Sequence, residues 1–356
     1  MKALVIDQSK GTLSLNEVKK PEITEQNDVL VKVRYVGICG TDVGMLDHKN
    51  KSGTICTLGH EITGLVEDFG EAVHDLKVGD PVCVSAGMVC GYCSFCTADK
   101  GNLCDNEGVS TLLGISIDGG MTDYIVVNRK RVFLLPPQLP LKIAALSDPL
   151  ATVFHPFKLA VTSLDPEKSN ALLIGCGWAG IGMSLLLHRK GFKKITVVQR
   201  SKPRRDALLG FDLGIRVIHP DALREEFKAK NGRIKGFDFI FDTVGNRESL
   251  KEYFPLTRKG GQFYVFGINT GDPSLCLDAV DPVEIIWHEI SISGTIAYTP
   301  KELTKSIKEL DEMHKSFDLS KIGINVYSIE RYEEGFAALQ NKTVVKAMFE
   351  FNAETN

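Results

Sequence analysis

Four cysteines crowd into fifteen residues as Cys90-x2-Cys93-x2-Cys96-x7-Cys104. Tetrahedral zinc accepts four thiolates at about 2.3 Å, and short spacers let one looped segment wrap the ion. Gly91 and Gly101 ease the tight turns this requires. A ferredoxin-like iron–sulfur run would have three residues before its last cysteine and proline after it. Here seven residues intervene and Asp105 follows, so the pattern predicts a structural zinc site with every position filled by protein.

A second chemical signal lies at Gly175-Cys176-Gly177-Trp178-Ala179-Gly180. This G-x-G-x-x-G turn follows the apolar run Leu172–Ile174, opens a helical pattern and leads to a further apolar run at Ile195–Val198. That context predicts a dinucleotide-binding turn: Gly175 for the tight bend, Gly177 for close approach of the pyrophosphate, Gly180 for helix–strand packing. A Gly-rich turn for another ligand, such as S-adenosylmethionine, is the alternative. About twenty residues on, where an NAD enzyme carries a carboxylate for the ribose, the chain reads Gln199-Arg200-Ser201-Lys202-Pro203-Arg204-Arg205. No acid there would repel a 2′-phosphate, and arginine grips phosphate bidentately. The expectation is NADP(H) over NAD(H), with Arg200 foremost, then Arg205 and Arg204, and Gln199 permissive.

Weaker signals come earlier. Cys39-Gly40-Thr41-Asp42 follows a strand ending near Val36, and Gly59-His60-Glu61 comes about twenty residues later. The His60-Glu61 pair is not a metalloprotease motif, because position 64 is glycine where a second histidine is needed. Taken with the four-cysteine run, Asp148-Pro149-Leu150, the Gly-rich turn and Gly294-Thr295, all in order, the chain resembles the zinc-dependent medium-chain alcohol dehydrogenase superfamily. The likeness spans nearly the whole sequence and is nearest to sorbitol and polyol dehydrogenases. It implies that Cys39 and His60 hold a catalytic zinc and that Glu61 is a further ligand. It implies that Asp148, where relatives usually have Glu, is a ligand or exchanges with water. Thr41 resembles the relay hydroxyl that passes a proton toward the cofactor ribose. Many relatives continue the relay with a histidine at the position of Gly44; His48 or water is the substitute here. One physical condition attaches to the ligand set. Adjacent strand residues point to opposite faces, so His60 and Glu61 can share an ion only if the backbone at Gly59 is irregular.

These residues need a scaffold. In the first 150 residues Val29, Val31, Val33 and Tyr35 alternate with Leu30, Lys32 and Arg34, as in a strand, and short apolar runs recur at Ala3–Ile6, Pro81–Val84 and Tyr124–Val127. A β-rich domain is expected, and the resemblance makes it GroES-like. From about residue 150, strand-like runs (171–175, 195–198, 216–218, 237–244, 262–267 and 290–293) alternate with helical patterns such as 180–190 and 222–230. That alternation predicts a Rossmann-type doubly wound parallel sheet in an α/β protein. The expected domains are 1–152, with 293–356 returning to it, and 153–292. A helix over 300–314 and a strand at 344–351 complete the pattern.

The remaining numbers exclude other classes. At 356 residues, 43% hydrophobic and 24% charged, the chain has the composition of an ordered two-domain protein. A net charge of −3 without a long basic run makes a poor nucleic-acid binder. The uncharged run 169–188 reaches bilayer length, but its four glycines fit a strand–turn–helix better than a membrane span. The N-terminal apolar run stops at Asp7, too short for a signal peptide, and nine cysteines form no even framework, so a reducing cytoplasmic setting is expected. Cys56, Cys83, Cys176 and Cys276 are read as packing residues. Together these readings imply a zinc-dependent oxidoreductase, using NADP(H) on a polyol, sugar or secondary alcohol, as a homodimer or homotetramer. The alternatives are an aldehyde or ketone reductase of the same superfamily and a non-catalytic nucleotide-binding relative.

Overall fold

A computed structural model describes residues 1–46, 53–229, 236–267 and 280–353. The expectations placed on His48, Cys276 and Lys230 fall outside these residues. The chain divides into two compact units, one of residues 1–151, 297–320 and 324–356, the other of 152–296 and 321–323.

The first unit is built on the strand Asp28–Gly37. It is the centre of a seven-stranded sheet, in the order Ile324–Ser328, Lys346–Glu350, Asp28–Gly37, Glu61–Phe69, Pro81–Val84, Val132–Leu134, with Tyr124–Asn128 also paired to the first half of the central strand. Val29, Val31 and Val33 are fully buried and Leu30 nearly so, while Lys32 and Arg34 between them are only partly buried, as expected of a strand with one face on the core. A three-stranded sheet of Thr12–Glu17, Lys2–Asp7 and Ile55–Thr57 packs on the same core through Leu4 and Ile6.

Register decides what meets at the far end of the central strand. Gly37 stands between Glu61 on one neighbour and Met348 on the other. A side chain at Gly37 would collide with the Glu61 carboxylate and with Cε of Lys346. Glycine is therefore needed there so that Lys346 can reach Glu61.

The second unit is a six-stranded parallel sheet in the order Arg216–Ile218, Lys194–Val198, Asn170–Ile174, Phe237–Asp242, Thr257–Val265, Ser291–Gly294. In sequence order that is 3-2-1-4-5-6, the doubly wound arrangement whose ligands bind beyond the carboxyl ends of the first and fourth strands. Leu172, Ile174, Ile240 and Phe263 fill its core. The 169–188 run is the strand Asn170–Ile174, the Gly-rich turn and the helix Trp178–Arg189. No helix among the described residues is long and apolar enough to cross a membrane.

Candidate active site

In the first unit, Cys39 lies just past the central strand, at the start of the short helix Gly40–Gly44. Its backbone N–H donates to Oδ2 of Asp42 at 2.8 Å, which fixes the turn. Gly59 has φ of +96°, a conformation open to glycine, and a side chain there would strike Met121 and Val36. The backbone is thus irregular where the sequence required it. His60 precedes the strand Glu61–Phe69, and the ligand atoms of Cys39, His60 and Glu61 all lie within 4.8 Å of one another. Both His60 and Glu61 are buried.

The electrostatics of this cluster favour a cation. Nδ1 of His60 faces Oδ1 of Asp42 at 3.5 Å, and neither has a closer hydrogen-bond partner. That leaves Nε2 as the ligand nitrogen, oriented from behind by a carboxylate. Burial works against a charged imidazole, yet Asp42 and Cys39 outweigh it and hold His60 well above its ordinary range. Oε1 of Glu61 accepts a hydrogen bond from Lys346 Nζ at 2.6 Å, while Oε2, although close to the same ammonium, has no geometrically sound donor. A thiol, an imidazole and a carboxylate, with buried polar atoms left short of partners, are the donor set that zinc fits. Asp148 is outside this three-atom cluster: its Oδ2 accepts from the Tyr298 hydroxyl and lies 3.5 Å from the Ala86 N–H. Burial raises the Asp148 carboxyl to about 6. Thr41 Oγ1 is 3.6 Å from Cys39 Sγ and exposed, and Gly44 offers no side chain to extend a relay.

The four-cysteine lobe has the dimensions of its ion. Tetrahedral zinc with sulfurs at about 2.3 Å needs sulfur–sulfur edges of roughly 3.8 Å. Cys90 and Cys96 are 3.8 Å apart, and Cys93 and Cys104 are 3.9 Å apart. Cys90 Sγ accepts from the Cys93 N–H at 3.3 Å and from Asn106 Nδ2 at 3.3 Å, and these donors hold its thiol below the usual value against the cost of burial. Such donors stabilise thiolate, the form a metal binds.

In the second unit, Gly175 (φ +94°) follows the first strand, and the Thr243 hydroxyl packs where its side chain would be. A Cβ at Gly180 would overlap the Gly175 carbonyl oxygen, so helix and turn touch there. Gly177 differs: the nearest atom to a Cβ would be Arg204 Nη1 at 3.8 Å. The protein's own packing therefore does not require glycine at 177, and the turn is open on that side. The basic run is divided in its duties. Arg205 Nη1 donates to the carbonyls of Gln199 (2.7 Å) and Arg200 (2.6 Å) and braces the turn. Arg204 lies over Gly177 and its carbonyl accepts from Cys176 Sγ at 3.4 Å, whereas Arg200 is exposed at the strand end. Cys176 is buried and its thiol pushed up to about 12, while Cys56 and Cys83 are buried thiols with raised values. Raised values disfavour the reactive thiolate form, in keeping with the expectation that all three are packing residues.

Known proteins match both halves. Residues 25–137 match the alcohol dehydrogenase GroES-like domain, and residues 180–312 match the zinc-binding dehydrogenase domain. The chain is 31% identical over 362 residues to L-threonine 3-dehydrogenase of Chelativorans sp. strain BNC1, covering 99% of each. It belongs to the zinc-dependent medium-chain dehydrogenases. A protein described as a zinc-binding dehydrogenase from Sinorhizobium meliloti 1021, solved with NADP, has a TM-score of 0.84 at 25% identity over 98% of each chain. Galactitol-1-phosphate dehydrogenase of Escherichia coli shares the fold with a TM-score of 0.82 at 23% identity, covering 98% of this chain and all of that one. This medium-chain dehydrogenase is thus an oxidoreductase of the class that acts on CH–OH donors, with a GroES-like unit and a Rossmann-type unit.

Several of its site residues are not singled out by the sequence. Asp42 was legible only as part of the Cys39 motif, not as the group facing His60. Lys346 and Gly37 carry no local signature. Each reaches the site through sheet register or chain return, which sequence spacing does not encode.

Proposed function

We propose that this dehydrogenase oxidises a small polar secondary alcohol, or reduces the matching ketone, with NADP(H). The observation that carries the reading is the buried Cys39–His60–Glu61 cluster, whose donor atoms lie within 4.8 Å of one another. A zinc ion held there supplies Lewis-acid polarisation of the substrate oxygen. Cys39, His60 and Glu61 hold it, and Asp42 orients His60. Thr41 offers the hydroxyl that passes the substrate proton outward, and the dinucleotide carries the hydride. Polyols, sugars and β-hydroxy amino acids all contain such a carbinol; the relatives named L-threonine 3-dehydrogenase favour testing the last class first. An aldehyde reductase using the same residues is the second reading. A panel of polyols, threonine, ketoses, aldehydes and simple secondary alcohols, followed by reduced-nicotinamide absorbance, separates these. We expect about two zinc ions per chain, one in each cluster. One ion, with no turnover of any alcohol, would reduce the protein to a nucleotide-binding relative.

The NADP preference rests on the absence of a carboxylate at Gln199 and on Arg200 and Arg204 flanking the turn. Replacing Gln199 with Asp is expected to move the NADP/NAD ratio of kcat/KM toward NAD by at least tenfold, about 1.4 kcal/mol, because the new carboxylate repels a 2′-phosphate and accepts from a 2′-hydroxyl. An unchanged ratio sinks the assignment.

A homodimer is the assembly best supported. Ser291–Gly294 ends the parallel sheet, and the preceding helix Pro282–His288 leaves Val283, Ile286 and Trp287 between 51% and 76% exposed. Exposed apolar groups beside a sheet edge suit pairing with a second copy. Trp287→Glu is expected to halve the mass measured by light scattering; a parent already monomeric would rule the dimer out. The eight described cysteines are free thiols, which suits a cytoplasmic protein.

A further inference from the structure

We propose that Asp118 is a positioning residue for the Cys39–His60–Glu61 cluster: it closes the loop 113–121 onto the backbone of Thr57, and that loop grips Gly59 in its left-handed turn and so fixes where His60 stands. The inference rests on the catalytic-metal reading above and adds to it residues that supply no ligand atom.

Gly59 does not choose its conformation alone. Glycine populates positive and negative φ about equally, so its own preference leaves the turn undecided. Its φ of +96° is nevertheless what lets His60 and the adjacent Glu61 both bring a donor atom within 4.8 Å of Cys39 Sγ. Something outside the turn has to select that conformation.

The loop 113–121 does so through the backbone. The three carbonyls that lead up to His60 are each taken by it. The Gly119 N–H donates to the Thr57 oxygen at 2.7 Å, the Met121 N–H to the Leu58 oxygen at 2.7 Å, and the Gly120 N–H to the Gly59 oxygen at 2.8 Å. Oδ1 of Asp118 accepts from the Thr57 N–H at 2.7 Å, from 61 residues further along the chain. The Leu58 N–H goes to the Leu4 carbonyl at 2.9 Å, and the Leu4 N–H returns to the Met121 carbonyl at 2.9 Å, which ties the strand Lys2–Asp7 into the same lattice. Thr57, Leu58 and His60 are buried, so a different turn at Gly59 would leave several of these groups unpaired away from water.

Packing adds a second restraint. Gly59, Gly114 and Gly119 meet with no side chain between them. A Cβ at Gly114 would lie 2.5 Å from the Gly59 nitrogen, and one at Gly119 would overlap the Gly59 oxygen and lie 2.6 Å from the Gly114 Cα. The loop keeps its own shape through the Gly114 N–H, which donates to the Ile117 carbonyl at 2.8 Å. The work of holding His60 is therefore shared. Asp42 faces the ring at Nδ1, and the loop closed by Asp118 fixes the backbone from which the ring projects. A site held to this tolerance needs both kinds of support.

Cobalt(II) titrated into the metal-free full chain tests the proposal, with the C39S spectrum subtracted to remove the four-cysteine site. D118A should weaken the apparent Kd for cobalt at the cluster by about tenfold, and G119A, which drives a methyl group at the Gly59 carbonyl, by about 100-fold, the usual span for groups behind a metal's own ligands. D118N keeps an oxygen for the Thr57 N–H and should bind as the parent does. Cobalt binding by the four-cysteine lobe should be the same in all of them. If G119A does not fold, D118A and its rescue by D118N carry the test. Unchanged cobalt affinity at the cluster in either D118A or a folded G119A overturns the proposal, and so does an equal loss at both metal sites, which would make the loop a general packing element. A parent spectrum identical to that of C39S overturns the catalytic-metal reading itself, a different result.

Discussion

Replacing Cys39 with serine is expected to lower kcat/KM by roughly 10³-fold, about 4 kcal/mol of transition-state stabilisation, while removing about one zinc ion per chain. The thiolate is the softest donor of the Cys39–His60–Glu61 set, and an alcohol does not ionise to replace it. His60→Ala should fall similarly, since it removes a ligand and leaves Oδ1 of the buried Asp42 carboxylate without its imidazole. The four-cysteine lobe is a separate loop, so its zinc should remain in both variants. The measurement is metal content by elemental analysis beside steady-state kinetics. Two ions per chain and undiminished turnover in C39S would remove the basis for a catalytic metal at this cluster.

The second large effect is on stability. Lys346→Met is expected to destabilise the metal-free protein by about 3–5 kcal/mol, a fall in Tm on the order of 10 °C. Lys346 and Glu61 are a buried ion pair, with side chains 5% and 1% exposed, so removing the cation leaves an uncompensated buried carboxylate. Their contact crosses the central strand at Gly37, where the absence of a side chain leaves room for it. The sign of the metal effect is distinctive. Zinc offers the Glu61 carboxylate a second positive partner, so the penalty of K346M should shrink on loading with zinc. Adding E61Q to K346M should recover part of the lost stability, because the double variant no longer buries a lone charge. A K346M melting curve identical to that of the parent, in chelator and in zinc alike, would show that the pair contributes nothing.

Much of this molecule can be read without coordinates, and the reasons differ by residue. The four cysteines are legible because one short loop supplies every ligand, so their spacing is the geometry. The Gly-rich turn is legible for a related reason. Gly175 and Gly180 answer steric demands that arise within a few residues, between a turn and the helix it opens. The parallel sheet follows from strand and helix in alternation. Element ends were less well defined: the helix read as 180–190 begins at Trp178, and the strand read from 262 begins at Thr257. The helix Ser147–Ala160 carried no signal, in part because Pro156 sits inside it.

The basic run after the second strand shows where local reading stops. The sequence puts Arg200 foremost and Arg205 and Arg204 next, but charge does not say which of them has a backbone to brace. The fold gives Arg205 two backbone carbonyls to brace and lays Arg204 over Gly177, so the two arginines have different surroundings.

By itself the sequence determined the fold class, the structural metal lobe and the dinucleotide turn, because each is a property of neighbouring residues. It also named Cys39, His60 and Glu61, through motifs whose order along the chain is shared with a family. Only the tertiary structure decided what surrounds them. Lys346 arrives by antiparallel register across Gly37. Buried charges must be satisfied by whichever groups the chain's return path brings near. That path is fixed by packing across the whole unit and not by spacing along the sequence.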